Sequence, residues 1–398
     1  MDGIRVVEVA QWWFVPSAGA VLADWGADVI KVEHPVTGDP QRGLVTSGYF
    51  PDTGGVNFMM EQSNRGKRSV GIDIGNPGGR ETLMKLVETA DVFLTNFLTP
   101  ARTRLRIDVD DIRAINPKII YAIGHGQGRR GPDADKGGYD AASFWSRGGI
   151  AHALTPPDAK TPIMQRAAFG DSIGGMTTAG GVAGALFHRE RTGEATVVDV
   201  SLLGTAMWVV APDIVMSMLT DKGMPKTNRY EAPNPIVNSY PTKDGRWVFL
   251  SMLQPDRYWA DFCKHIGRPD LITDERYKDG ISRYQNRQAC VAELDAVFAA
   301  KTLAEWRVAL QDVEGVWAPM QSTREVSDDV QALANGYLSD VDRDGTRFRL
   351  VASPVQFDEA TPGLTPAPEM GQHTEEVLLS IGLAWEDLAA LKESGAIS

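Results

Sequence analysis

Cysteine is scarce: Cys263 and Cys290 are the only two in 398 residues. Two thiols make neither a disulfide framework nor a thiolate metal site, and Cys263 reads as a buried thiol on the apolar side of a helix. Histidine is sparse as well. His34, His125, His152, His188, His265 and His373 share no helical ligand spacing, so no metal is expected. No apolar run reaches the length of a membrane span, so no membrane partner is expected. Basic charge is in deficit, and a formal net charge of -12 argues against the dense phosphate contacts of a nucleic-acid partner. Ser17, Ser201 and the other serines are read as lacking a Gly-x-Ser-x-Gly elbow, so a serine hydrolase is not expected. Internal repeats and low-complexity tracts are missing too. The opening Met1–Val7 enters a strand without the basic start and apolar run of a signal peptide, so a cytoplasmic protein is expected.

What remains is a globular composition, 43% hydrophobic and 23% charged, on a chain long enough for two or three domains. Strand and helix signals alternate through the first two hundred residues. Strands are expected at Ile4–Ala10, Asp28–Glu33, Ser69–Ile74, Asp91–Thr95, Lys118–Ile123 and Ala195–Val200. Helices are expected at Ala18–Trp25, Gly78–Thr89, Asp108–Ile115 and 171–191. Short apolar strands separated by helices imply an α/β domain with a mostly parallel sheet and right-handed crossovers. Ligands on such sheets bind beyond the carboxyl ends of the strands.

Residues 1–200 form this large domain, and 201–224 read as an apolar linker helix. Residues 225–315 read as a smaller α+β domain. It opens with a hairpin, Val237–Pro241 and Trp247–Ser251, turning at Lys243-Asp244-Gly245-Arg246. Helices follow at Pro255–Ile266, Gln288–Ala300 and Leu303–Val313. Residues 316–398, with Pro354, Pro362, Pro366 and Pro368, read as a meandering return to the large domain.

Gly126-Gln127-Gly128-Arg129-Arg130-Gly131 has the letters of a dinucleotide fingerprint. Pro132-Asp133-Ala134-Asp135 follows where a helix should open, so a nicotinamide site is rejected. The segment Ala168-Phe169-Gly170-Asp171-Ser172-Ile173-Gly174-Gly175 is more telling. It precedes a small-residue helix, where first-turn amides and the helix dipole would hold Asp171 ionised and bind developing negative charge. Asp is also a favoured N-cap, so plain capping is the alternative. Six glycines in residues 170–184 require a reason, either close helix packing or backbone approach by a bulky ligand. Arg65, Lys67, Arg68, Arg102, Arg104 and Arg106 are a local source of positive charge that could hold a polyphosphate.

Four segments carry a resemblance. The first is Asp2–Val9, continued by Ala23-Asp24-Trp25-Gly26-Ala27-Asp28-Val29-Ile30-Lys31-Val32-Glu33 and Gly38-Asp39-Pro40. The second is Asn64-Arg65-Gly66-Lys67-Arg68-Ser69-Val70, with Asp73 beyond it. The third is Asp91-Val92-Phe93-Leu94-Thr95-Asn96-Phe97, then Gly170-Asp171 and its helix through Thr192-Gly193-Glu194-Ala195. The last is Gly371-Gln372-His373-Thr374-Glu375-Glu376-Val377-Leu378. In this order, over nearly the whole chain, they resemble the family III CoA-transferases, a family that includes formyl-CoA:oxalate and carnitine CoA-transferases and α-methylacyl-CoA racemases.

The resemblance implies a Rossmann-like large domain, a smaller domain, and a homodimer of interlocked rings. It implies CoA and acyl-CoA as substrates rather than bound cofactors, small carboxylic acids as partners, and Asp171 as nucleophile. CoA would lie near His34, Asn96, Phe97, Ala101 and Arg104, with Arg42 and Arg65 as further contacts. Tyr139 stands where transferases carry Tyr beside the site and the racemases a proton-transferring His. Backbone amides around Gly170, Gly174 and Gly175 would stabilise oxyanions. The pocket would include Trp13, in an aromatic loop at Trp12–Phe14, and Met59, with Gln254 in a covering loop. Formyl-CoA transferase carries a glutamine, a tyrosine and a glycine-run lid at these three places, and the differences point to an acid larger and less polar than formate or oxalate. The alternatives are a 2-methylacyl-CoA racemase, with His125 as a substitute base, and a non-catalytic CoA-binding protein.

Overall fold

The computed structural model describes residues 1–398 apart from Tyr49, Thr227 and the side chain of Thr46. Six strands form the main sheet: β1 (Arg5–Val9), β2 (Asp28–Glu33), β3 (Arg68–Gly71), β4 (Val92–Thr95), β5 (Ile120–His125) and β6 (Val197–Ser201). Every pairing is parallel, with Val7 opposite Ile30 on one side and Phe93 on the other. The order β3-β2-β1-β4-β5-β6 is that of a doubly wound nucleotide-binding sheet, and it reverses between β1 and β4. The chain leaves those two strands in opposite directions, so a crevice opens beyond Val9 and Thr95.

Among the described residues, nine α-helices accompany this sheet up to residue 220: α1 (Phe14–Asp24), α2 (Phe58–Asn64), α3 (Pro77–Glu88), α4 (Thr99–Leu105), α5 (Val109–Ile115), α6 (Ile150–Leu154), α7 (Phe169–Thr192), α8 (Leu202–Val209) and α9 (Ala211–Thr220). The central strands are buried on both faces, which is why they read as continuous Val/Ile runs. On one face Val6, Val29, Leu94 and Ala122 meet Val15 and Ala18 of α1 and Ala179 and Val182 of α7. On the other, Val7, Ile30, Phe93 and Ile123 meet Leu83 and Leu86 of α3 and Ile112 of α5. Val377, Leu378 and Leu388, from C-terminal helices Thr374–Ser380 and Trp385–Glu393, complete this second face.

Gly174 and Gly175 exist for the α1–α7 packing. A Cβ on Gly174 would lie 2.5 Å from the Phe14 ring, and one on Gly175 1.9 Å from Ser17 Oγ. Two expectations need correction. The single helix expected across 201–220 breaks at Val210 into α8 and α9, bent by 73°. Pro212 is the cause: lacking an N–H and crowding the preceding turn, it fits only at the start of a helix. No single helix among the described residues is long and apolar enough to cross a membrane; only the bent pair α8 and α9, taken together, passes that test by length and composition. The α7 helix also starts two residues before Asp171, after Ala168 in a left-handed conformation (φ 60°).

Two compact units result. The sheet, its helices and residues 330–398 form the first; 225–329 with 156–160 form the second. The second unit has an antiparallel sheet of β7 (Val237–Pro241), β8 (Trp247–Ser251) and β9 (Trp317–Pro319). The pairing of β9 with β8 carries this unit past residue 315. Its core gathers Tyr240, Trp259, Phe262, Phe298 and Trp306, with both cysteines buried as free thiols.

Candidate active site

The crevice at the sheet reversal is a cavity of about 500 Å³. Gln11, Trp12 and Phe14 line it from the β1–α1 turn; Asn96, Phe97, Ala101 and Arg104 line it from the end of β4 and from α4. Gly124, His125 and Gly126 end β5, Gly138 and Tyr139 follow in a loop, and Asp171 projects from the first turn of α7. Phe97 and Arg104 also line a neighbouring cavity of about 360 Å³ that holds His34 and Asp73. The imidazole Nδ1 of His34 accepts the amides of Val36 and Thr37 at 3.2 and 3.3 Å, leaving Nε2 as its donor. The two cavities make a long groove over the carboxyl ends of β2, β1, β4 and β5.

Asp171 is not held ionised. Burial, reinforced by the charge of Asp140, pushes its carboxyl up to about 8. The expected stabilisation fails because first-turn amides are already taken. Asp140 Oδ2 accepts the Gly170 amide at 3.1 Å, and the Ser172 amide bonds Ala168 O at 2.9 Å. Asp171 therefore does not cap its helix; Asp140 does. Gly174 and Gly175 lie within the helix, so the glycines of 170–175 do not present a free amide nest for an oxyanion. Gly170 is required for another reason: a Cβ there would lie 2.2 Å from the Phe144 ring.

The six expected residues Asn96, Phe97, Ala101, Arg104, Tyr139 and Asp171 thus meet in one cavity, with His34 in the next. Others go elsewhere. Arg65 is buried against Asp24 in a two-pronged ion pair (2.7 and 3.0 Å), and Arg42 grips Glu33 at 2.6 and 2.7 Å. Lys67, Arg68 and Arg102 are likewise paired, with Glu8, Asp28 and Asp108. Of the basic clusters only Arg104 lines the groove. Met59 is buried in α2 and does not line the groove. Trp13 turns aside to donate its indole N–H to Ser172 Oγ at 3.0 Å. Gln254 belongs to the second unit, where it precedes the helix Pro255–His265.

Two features escaped the sequence reading. Asp140 is one; its only signal was adjacency to Tyr139. The other is that Gly170-Asp171-Ser172-Ile173-Gly174 itself has hydrolase-elbow letters. The geometry is not an elbow: Ser172 sits inside a helix with no strand leading into it, and its hydroxyl donates to Ala168 O at 2.8 Å. His125 is buried, its imidazole pushed down to about 4 by burial and by Arg102 and Arg129. No helix opens at Gly131, so the Gly126–Gly131 loop is no dinucleotide fingerprint.

An α/β protein with a long groove at its sheet reversal and a buried carboxyl at one end is the class the fold and site define. A family model described as CoA-transferase family III matches residues 1–374, and the chain belongs to that family, whose enzymes transfer CoA between acyl-CoA and carboxylates. Among its relatives is the (R)-2-hydroxy-4-methylpentanoate CoA-transferase of Clostridioides difficile, 34% identical, with 100% of this chain and 99% of the relative aligned. The cinnamoyl-CoA:phenyllactate CoA-transferase of Clostridium sporogenes is 32% identical over 98% of this chain and 96% of its own. A crystal structure of a CaiB/BaiF family protein from Brucella suis superposes with a TM-score of 0.83 at 28% identity, covering 96% of this chain and 98% of that one.

Proposed function

We propose that this enzyme moves CoA from a donor acyl-CoA to an acceptor acid through covalent intermediates on Asp171. The observation that carries the reading is Asp171, among the described residues the one carboxyl lining the larger cavity, at the end of a groove shaped for a long ligand. CoA lies along the strand ends, with Arg104 and His34 toward its phosphates and the thioester beside Asp171.

The deprotonated Asp171 carboxylate attacks the thioester carbonyl; a C–O bond forms, the C–S bond breaks, and CoA leaves as thiolate. The thiolate then attacks the aspartyl carbonyl of this mixed anhydride, giving an aspartyl–CoA thioester and the free donor acid. The acceptor carboxylate runs the same two steps in reverse and restores Asp171. One thioester replaces another, so no energy source is required. Trp12, Phe14, Leu202 and Tyr139 give the cavity an apolar lining suited to a branched or aromatic acid. The substrates named for the two relatives, 4-methyl-branched and phenyl 2-hydroxy acids, support that class.

The test is a donor-by-acceptor screen by mass spectrometry, with branched, aromatic and short dicarboxylic acids, each as the 2-hydroxy and plain acid. Transfer is expected to favour the branched and aromatic set. A preference for oxalate or formate would overturn the substrate class.

We infer further that the working form is a homodimer. Support comes from the apolar surface of α8 and α9, where Trp208 is 82% and Leu219 80% exposed in the single chain.

A further inference from the structure

The turn between β1 and α1 is gripped residue by residue. Lys31 Nζ donates to Ala10 O at 3.0 Å. Asn96 takes both polar groups of Gln11, accepting its amide at 3.1 Å and donating to its carbonyl at 2.7 Å. Asp39 Oδ1 accepts the Trp12 amide at 3.1 Å, and Lys67 Nζ donates to Pro16 O at 2.8 Å. The gripping groups are themselves locked together. Lys31 lies 2.9 Å from Asp39 Oδ2, and Glu8 bridges Lys31 and Lys67 at 3.1 and 2.8 Å, all these side chains being buried.

This clamp holds Trp12 in a left-handed conformation, φ 67°. A bulky residue adopts that backbone rarely, and only where its surroundings over-determine it; such strain clusters at functional sites. What it achieves here is placement of a ring. The Trp12 indole meets Tyr139 edge-on, centroids 6.0 Å apart and planes at 89°. Both rings line the cavity of Asp171, and Tyr139, 67% exposed, stands at its mouth.

We propose that Trp12 and Tyr139 form the water shield of this site and that Asp39 is the positioning residue that sets it. The proposal rests on the covalent reading of Asp171. An aspartyl anhydride or thioester is destroyed by water: its oxygen attacks the activated carbonyl, a C–O bond forms as the anhydride C–O or thioester C–S bond breaks, and the released proton goes to the leaving group. Over one cycle acyl-CoA and water become free acid and CoA thiol, and transfer is lost. Exclusion of water is therefore part of the catalytic task.

The test compares the ratio of donor hydrolysis to transfer in wild type, Trp12→Gly and Trp12→Phe, by mass spectrometry with saturating acceptor. Trp12→Gly suits the left-handed backbone and leaves the clamp intact, so the fold persists. We expect the hydrolysis share to rise by about tenfold or more in Trp12→Gly, and Trp12→Phe to restore most of the wild-type ratio. Asp39→Ala should raise the share similarly, with no further rise in the double variant, because both act through one ring. A fall in transfer with an unchanged ratio in Trp12→Gly would overturn the shield. Additive effects in the double variant would overturn the role of Asp39. Absence of any transfer by the wild type would instead defeat the covalent reading, and the shield with it.

Discussion

Asp140 Oδ2 accepts the backbone amide of Gly170 at 3.1 Å, so one acid caps the helix turn that presents the other. The arrangement places a second acidic side chain beside Asp171. Burial and the charge of Asp140 keep Asp171 protonated below about pH 8.

The pH dependence follows. The attacking form of Asp171 grows as pH rises, so kcat/KM for donor acyl-CoA should climb about tenfold per unit below a midpoint near 8 and level off above it. Asp140→Asn keeps an acceptor for Gly170 but removes the like charge, and the midpoint should move to lower pH. An unmoved midpoint would refute the coupling. Stability should run the opposite way. A carboxyl raised in the folded state contributes stability below its unfolded pKa that is lost as pH rises through about 8. Asp171→Asn should therefore flatten the decline in urea stability between about pH 4 and 8.

The α1–α7 contact makes a separate prediction. The Cβ of Gly175→Ala would fall 1.9 Å from Ser17 Oγ and 3.0 Å from Phe14 O, a neighbour that cannot rotate away. Overpacking there should destabilise the protein by about 1–3 kcal/mol in urea titration. A neutral effect would show that the two helices are free to separate.

Proton exchange separates the transferase from the racemase. Tyr139 is a phenol at the exposed mouth, and His125 is a buried base pushed down to about 4. Incubation of a 2-methylacyl-CoA in deuterated water without acceptor should leave the α-position unlabelled by mass spectrometry. Enzyme-dependent α-deuterium would restore the racemase alternative.

Assembly is tested by light scattering. At micromolar concentration the mass should be about twice that of one chain, since interfaces of this kind commonly bury more than about 2,000 Å². An active species of single-chain mass would contradict the dimer.

Much of this was legible because its causes are local. The Val/Ile run of Asp28–Glu33 is a strand with those bounds in both readings, and the Val237–Pro241 and Trp247–Ser251 hairpin closes on its Asp-Gly turn. The break at Val210 was legible too, in Ala211-Pro212, but the apolar run masked it. What could not be read depends on residues distant in the chain. The cap of α7 comes from Asp140, thirty positions upstream of Gly170, so the local sequence leaves capping open as the alternative role of Asp171. Arg65 has the look of a ligand contact until Asp24, 41 positions away, closes on it. The clamp on Trp12 draws Lys31 from within β2, Asp39 from the loop after it and Asn96 from the end of β4, and no local pattern announces it.

The covalent role of Asp171 is tested most directly by trapping. Donor acyl-CoA is added without acceptor, hydroxylamine follows, and the peptide containing Asp171 is analysed by mass spectrometry. The expected result is a CoA adduct on Asp171, converted by hydroxylamine to a hydroxamate, with activity lost only when donor is present. Asp171→Asn should fold normally yet show neither adduct nor transfer. Near-normal transfer by Asp171→Asn, with deamidation back to Asp ruled out by the same mass spectrum, would contradict the account.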